Sequence, residues 1–183
     1  MVGPTERTDA QVVRDVISGE RDAYRLLVRR FGGVLYNHAV RMVGSQDDAA
    51  DLVQRTLVSG YQNLSSCRDP NRVGAWLFRI LSNLAKDHMR GRRRRDISLD
   101  SVAEIPEPGR DPFESAHLGE VRNRLRVAMG SLTPEQREAF LLKHVEGRSY
   151  EEMAAVLDVS RDSLKMRVHR AREALKELLE DYR

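Results

Sequence analysis

The last quarter of the sequence carries a row of cations that all lie off the apolar stripe of one predicted helix. The row consists of Arg161, Lys165, Arg167, Arg170 and Arg172. Apolar residues recur between these cations at steps of three and four, which predicts that the opposite face of the same helix is buried. A helix with a buried apolar face and an exposed cationic face can enter the major groove of duplex DNA. We therefore expect this helix to bind a polyanion, and duplex DNA fits its chemistry best.

The segment before the cationic helix has the pattern of the first arm of a helical hairpin. Met153 and Leu157 lie four residues apart on one helix face, and Asp158 follows where a tight turn must lie. Asp tolerates left-handed backbone better than most residues other than glycine, and Ser160 is a common type of residue at a helix start. Residues 149–175 therefore predict a helix-turn-helix. The alternative is an ordinary helical hairpin whose cations are only solvated.

Charge is distributed unevenly along the chain, although the net charge of its 183 residues is only +3. Residues 1–95 carry a net charge of +7, residues 96–118 a net charge of −5, and residues 119–183 a net charge of +1. The first block ends in four consecutive arginines at residues 92–95. A basic block of this kind again indicates a polyanionic partner.

The residue types needed for most catalytic and metal sites do not occur at useful spacing. Cys67 is the single cysteine, the five histidines are scattered, and adjacent acids such as Asp47 and Asp48 point to different sides of a helix. We expect no enzymatic activity, no metal site and no cofactor. The sequence has neither a signal-peptide core nor an apolar run of about 20 residues, so we expect a cytoplasmic protein without membrane insertion.

Hydrophobic periodicity predicts an all-α protein, and no segment has the pattern of a β-strand. Gly44 is expected to end a helix, and the pair Gly32-Gly33 is expected to be either a break or a point of close packing. Val145 is expected on the buried side of the helix that begins at Pro134. The predicted helices cover residues 9–31 in one or two pieces, 34–43, 46–61, 73–90, 118–132, 134–145, 149–157 and 160–175.

Residues 96–117 differ in composition from the segments on either side. They contain three prolines and several acids and have little periodicity, which is typical of a flexible linker. The predicted organisation is an N-terminal helical bundle at residues 8–95, this linker, and a C-terminal helix-turn-helix domain at residues 118–183.

Three segments together resemble the extracytoplasmic-function sigma factors, the smallest type of the sigma-70 family. Residues 48–63, DAADLVQRTLVSGYQN, resemble the segment of that family that binds core RNA polymerase. Residues 71–95 resemble its promoter −10 segment, and residues 132–179 resemble its −35-binding region. The three segments cover about half of the chain and occur in the order that the family has.

The resemblance implies a sigma factor that binds core RNA polymerase and directs promoter-specific transcription initiation. Its polymerase contacts would be a coiled coil and the flap of the largest subunits, and its other partners would be promoter DNA and an anti-sigma factor. The residues expected on the polymerase coiled coil are Asp47, Asp48, Asp51, Gln54 and Arg55.

The same resemblance assigns two promoter elements to two helices. The helix at residues 73–90 would read the −10 element as a melted strand, with Asn83 on base edges. The residues expected on the backbone phosphates of that strand are Arg79, Lys86, Arg90, Arg92 and Arg93. The residues expected on the −35 duplex are Arg148, Arg161, Asp162, Ser163, Lys165, Arg167 and Arg170. The alternative is a stand-alone helix-turn-helix transcriptional regulator, which would explain residues 118–183 but not the basic helix and the four arginines of the first half.

Overall fold

The computed structural model describes residues 7–96, 124 and 127–180, and the regular structure in this part of the chain is helical without any strand. The predicted all-α class is confirmed. The helices are α1 (Asp9–Ile17), α2 (Tyr24–Val43), α3 (Gln46–Gln62), α4 (Val73–Asp96), α5 (Pro134–Phe140), α6 (Tyr150–Leu157) and α7 (Arg161–Glu180). A further helical stretch covers residues 127–131. Within the described ranges, no helix is both long and apolar enough to cross a membrane.

The chain is divided into two compact units, and the boundary between them lies inside α4, between Ala85 and Lys86. The first contains α1, α2, α3 and the beginning of α4, and the second contains the remainder of α4 with α5, α6 and α7. The linker predicted at residues 96–117 and most of the helix predicted at 118–132 lie outside the described residues. The domain boundaries predicted at residues 95 and 118 therefore stay predictions.

Local hydrogen bonds set the helix ends of the first unit. Thr8 and Gln11 form a capping box at the start of α1, in which the Gln11 N–H donates to Thr8 Oγ1 (3.2 Å) and the Thr8 N–H donates to Gln11 Oε1 (2.7 Å). The Ser45 hydroxyl accepts from the Asp48 N–H at 3.2 Å and begins α3. Gly44 ends α2 with φ of 74°, a left-handed conformation that glycine adopts without strain. These caps determine where α2 stops and α3 begins.

Gly32 and Gly33 do not interrupt α2, so the predicted break is wrong. The helix is continuous from Tyr24 to Val43, and a Cβ added at either glycine would meet no atom within 4 Å. They are therefore not points of close packing either. Burial of the flanking apolar face, which includes Leu27 and Leu35, outweighs the roughly 1 kcal/mol that each glycine costs in a helix.

Close packing in the first unit occurs at two other glycines. A Cβ at Gly60 of α3 would overlap the Leu77 side chain of α4, and a Cβ at Gly74 of α4 would overlap the Phe31 ring of α2. Glycine is required at both positions because helix axes can approach this closely only where one side chain is missing. The side chains that are essentially inaccessible in this core include Leu27, Leu35, Met42, Leu52, Leu77 and Leu81.

The second unit contains one departure from regular α-helix. Thr133 begins α5 through a capping box with Gln136, and the helix changes after Phe140 to a π-helical turn over Leu141–Val145. The wider turn shifts the register, so Val145 is 51% exposed and its predicted burial is wrong. Leu141 and Leu142 are buried instead.

Candidate nucleic-acid interface

The predicted helix-turn-helix is present and is held by side-chain caps on both helices. The Glu152 N–H donates to Ser149 Oγ at 3.2 Å to begin α6, and the Ser163 N–H donates to Ser160 Oγ at 3.3 Å to begin α7. Between them Asp158 has φ of 58° and ψ of 45°, the left-handed turn that its position predicts. The buried faces of the two helices comprise Met153, Val156, Leu157, Leu164, Val168, Ala171 and Leu175. Packing of these faces fixes the direction in which the remaining side chains point.

The opposite face of α7 presents the predicted −35 residues to solvent. Arg161, Asp162, Lys165 and Arg170 are exposed, and Ser163 and Arg167 are half-buried. Arg161 donates to Glu151 Oε1 at 2.8 Å, and Lys165 lies 3.5 Å from Asp162 Oδ1. The hydrogen bond from Arg161 holds the pKa of Glu151 below its usual value. Because both pairs are in water, they contribute little to stability and can exchange for phosphate contacts.

Arg148 lies just before α6 and is half-buried. Its Nε donates to Glu146 Oε2 at 3.2 Å, and its carbonyl accepts from Lys143 Nζ at 3.2 Å. Lys143 also lies 4.8 Å from the centre of the Tyr150 ring. These contacts hold Arg148 at the entrance of the hairpin, separate from the row on α7.

The five residues predicted for polymerase binding lie on α3. Asp47, Asp51, Gln54 and Arg55 are exposed and Asp48 is half-buried. Arg55 Nη1 lies 3.5 Å from Asp51 Oδ2, one helical turn away. The set therefore forms a polar strip along a solvent-facing side of the helix.

An apolar groove of about 660 Å³ lies beside this strip and was not predicted from the sequence. It runs between α2 and α3, and its lining includes Val28, Tyr36, Ala50, Leu57, Val58 and Tyr61. Gln54 belongs to both the strip and the groove lining. The available signal in the sequence was Val58, an apolar residue outside the predicted apolar side of its helix. Val28 and Tyr61 belong to predicted apolar stripes but remain exposed, as Val58 does.

The basic row predicted on α4 is only partly accessible. Asn83 and Arg93 are exposed, and Arg79 and Arg92 are half-buried. Lys86 was expected in the exposed row, but its side chain is only 14% exposed, and its Nζ lies 3.2 Å from Oε2 of the fully buried Glu138. The expectation of exposure is wrong at this position because α5 covers the lysine.

Arg90 and Arg93 also contact residues at or near the start of α5. Arg90 forms ion pairs with Glu135 and with Asp87, the latter at 3.1 Å. Arg93 Nη2 donates to the carbonyls of Gly130 (3.2 Å) and Ser131 (2.8 Å). One face of α4 therefore carries Lys86, Arg90 and Arg93. Each of these cations contacts an acceptor on α5 or in the residues just before it.

The segment between α3 and α4 consists of short turns rather than an open loop. The 3₁₀ turns Leu64–Ser66 and Pro70–Arg72 flank Cys67, whose thiol donates to the Asp69 carbonyl at 3.4 Å. Burial raises the pKa of the Cys67 thiol, which keeps it protonated and unreactive. Trp76 is half-buried on the first turn of α4.

Two known protein families match the parts of the chain that carry these surfaces. Residues 27–95 match the family described as Sigma-70 region 2, and residues 122–175 match Sigma-70, region 4. The chain is 33% identical to the ECF RNA polymerase sigma-E factor of Escherichia coli over 92% of both proteins. This chain belongs to the extracytoplasmic-function sigma factors of the sigma-70 family. It is therefore a factor for promoter-directed transcription initiation.

Two further relatives are similar to this sigma factor, one in sequence and one in structure. It is 34% identical to the ECF RNA polymerase sigma factor SigE of Mycolicibacterium smegmatis over 84% of its own length, and it spans 60% of that protein. It is similar in structure to the sigma factor RpoE of Bartonella quintana, solved in complex with the anti-sigma factor NepR. The TM-score is 0.61 at 31% identity, covering 87% of this chain and 98% of that one. The match to region 2 argues against the stand-alone regulator, which would need only the second half of the chain.

Proposed function

We propose that this sigma factor docks on core RNA polymerase through α3, reads the −10 element with α4 and reads the −35 element with α7. The observation that carries the proposal is the solvent-facing cationic row on α7, held by a capped hairpin whose buried face is fully packed. A helix presented in this way has the shape and charge that the major groove admits. No enzymatic activity and no cofactor are part of the proposal, and its place is the cytoplasm, where polymerase meets DNA.

Polymerase docking combines the polar strip of α3 with the apolar groove beside it. Asp51 and Gln54 would pair with polar groups of a partner helix, while Val58 and Tyr61 would exclude water from those contacts. A charged or amide contact is stronger in such a dry surrounding than in open solvent. The flap of the polymerase and an anti-sigma factor are the further partners that we propose, the latter supported by the NepR complex of the Bartonella quintana relative.

The two promoter elements are read in different ways in this proposal. On α7, Arg161 and Lys165 in the first turns are suited to base edges, and Arg170 is suited to a backbone phosphate. On α4, Asn83 is suited to base edges of the melted strand, while the cations along the same helix neutralise its phosphates.

A run-off assay tests the proposal directly. Sigma-free bacterial core polymerase would be incubated with DNA from upstream of this gene, with and without the protein. A specific transcript is expected only with the protein, and its start point locates both promoter elements. The absence of a transcript and of core binding, together with a duplex footprint by the protein alone, would contradict the proposal and support an independent regulator.

Two substitutions on α7 should separate base reading from phosphate contact. Arg161→Ala is expected to reduce discrimination between the true −35 element and a single-base variant by about 1–3 kcal/mol if it contacts guanine. Arg170→Ala is expected to weaken binding equally on both sequences and to lower the salt dependence by about one ion. Binding of polymerase holoenzyme to matched and mismatched promoter fragments over a salt series would measure both effects. Equal losses of discrimination from the two variants would contradict this division of roles.

A further inference from the structure

Three cations of α4 are already occupied by contacts within the second unit. Lys86, Arg90 and Arg93 lie at positions i, i+4 and i+7, which places them on one helix face. Lys86 pairs with Glu138 and Arg90 pairs with Glu135, both on α5. Arg93 donates to two carbonyls just before α5, those of Gly130 and Ser131. These three cations are also among the residues proposed to hold the −10 strand.

In the innermost contact, between Lys86 and Glu138, only one oxygen of the carboxylate is bonded within the part of the chain that the structure describes. Glu138 is fully buried, and Oε2 of its carboxylate lies 3.2 Å from Lys86 Nζ. The second carboxylate oxygen, Oε1, is buried with no hydrogen-bond partner among the described residues. Removing an ion pair from water is costly, and the attraction repays that cost only when the remaining polar atoms are also bonded. The contact therefore positions Lys86 without stabilising the fold strongly.

The charge of Arg137 on α5 opposes the contacts of α4, because it repels Arg93 and Arg92. Burial, together with the nearby charges of Arg93 and Arg92, lowers the pKa of Arg137 on α5 to about 10. The Arg137 Nε donates to the Met129 carbonyl at 2.9 Å, and Arg93 donates to the next two carbonyls, those of Gly130 and Ser131. The acids of α5 thus attract the basic face of α4 while Arg137 repels it.

We propose that the start of α5 is an internal competitor for the −10 strand, so that Glu135 and Glu138 restrain the −10-reading cations until nucleic acid replaces them. This inference rests on the proposed role of α4 in −10 binding. A phosphate oxygen can take the place of each carboxylate oxygen, and separation of α4 from α5 would hydrate the unbonded Glu138 oxygen. The free protein binds single strands weakly for this reason, and the restraint limits promoter-independent binding.

Removal of the two carboxylate charges should expose the restraint. The double variant Glu135→Gln/Glu138→Gln keeps the side-chain shapes and removes two negative charges. The matched control is Glu173→Gln/Glu177→Gln, which removes the same charge from two exposed positions on α7. Binding of each protein to a fluorescent 20-nucleotide oligo-dT strand, without polymerase, would be measured by anisotropy at several salt concentrations. We expect about tenfold tighter binding for the α5 variant and less than a twofold change for the control.

Two additional variants make the result specific to α4. Adding Lys86→Gln to the α5 variant is expected to remove most of the gain, because the released lysine carries it. Glu135→Gln alone, at a partly exposed position, is expected to give a smaller gain and covers the case in which the buried substitution at Glu138 prevents folding. Equal affinities for the α5 variant and its control, or a full tenfold gain that persists without Lys86, would overturn the inference.

The test separates this inference from the proposed function. Oligo-dT binding needs neither a promoter nor polymerase, whereas the run-off assay needs both. A protein that supports run-off transcription but shows no gain from the α5 variant retains its function and refutes the restraint. A protein that fails in run-off transcription loses the proposed function, and with it the −10 role on which the restraint depends.

Discussion

The double variant Asp51→Ala/Gln54→Ala is expected to bind core RNA polymerase about a hundredfold more weakly than the parent protein. Both side chains are exposed on α3, and Gln54 also lines the apolar groove next to them. A polar side chain whose contact is dehydrated by such a patch costs about 1.4 kcal/mol when it is truncated. Two such losses on one helix face correspond to roughly two orders of magnitude in affinity.

The loss must be separated from unfolding and from nonspecific effects of charge. Neither side chain is part of the core, so the thermal unfolding midpoint should change little. Asp22→Ala, at an exposed acidic position in the same unit, removes the same charge as Asp51→Ala, serves as the control and should bind polymerase normally. Binding would be measured by fluorescence with labelled core enzyme. Parental affinity in a folded Asp51→Ala/Gln54→Ala protein would refute the assignment of α3 to polymerase docking.

The groove offers an independent test of the same interface. Val58 is 49% exposed in the groove wall and contributes little to the core. Val58→Asp would place a carboxylate in the surface that polymerase is proposed to dehydrate, so we expect a loss of affinity comparable to that of the double variant. Normal binding by a folded Val58→Asp protein would show that the groove lies outside the interface.

Gly60→Ala is expected to destabilise the first unit by about 2 kcal/mol, although alanine is the better helix former. The added methyl group would overlap Leu77 on α4 and would lie 2.9 Å from the Tyr24 hydroxyl. The Tyr24 hydroxyl donates to the Leu57 carbonyl at 2.8 Å, so it cannot move away without losing that bond. Gly60→Val should have a larger effect of the same sign.

The same substitution at Gly33 provides the matched control. Gly33 is exposed in the middle of α2, and a Cβ there meets no atom within 4 Å. Gly33→Ala should therefore stabilise the protein by about 0.5–1 kcal/mol. Urea unfolding followed by the fluorescence of Trp76, the single tryptophan, reports on the first unit. A stabilising effect at Gly60 would contradict the close packing between α3 and α4.

The caps and turns could be predicted because they depend on residues within about four positions of one another. Ser160, the left-handed Asp158 and the terminal Gly44 all occupy the predicted positions. Apolar periodicity likewise predicted the buried side of each hairpin helix. These features belong to single helices and their ends, where side-chain type and spacing determine the backbone.

The remaining features depend on contacts between residues far apart in the chain. Only the packed structure shows that α2 passes through Gly32 and Gly33, that Gly60 accommodates Leu77, and that the α2–α3 groove borders Gln54. Lys86 looks like one more exposed cation in the sequence, yet it pairs with Glu138, which lies 52 positions away. The sequence by itself determined the helices, their caps and the family to which the chain belongs, because periodicity and motif are local properties. Which cations face solvent and which are covered was decided only by tertiary packing, because burial depends on the neighbours that another helix supplies.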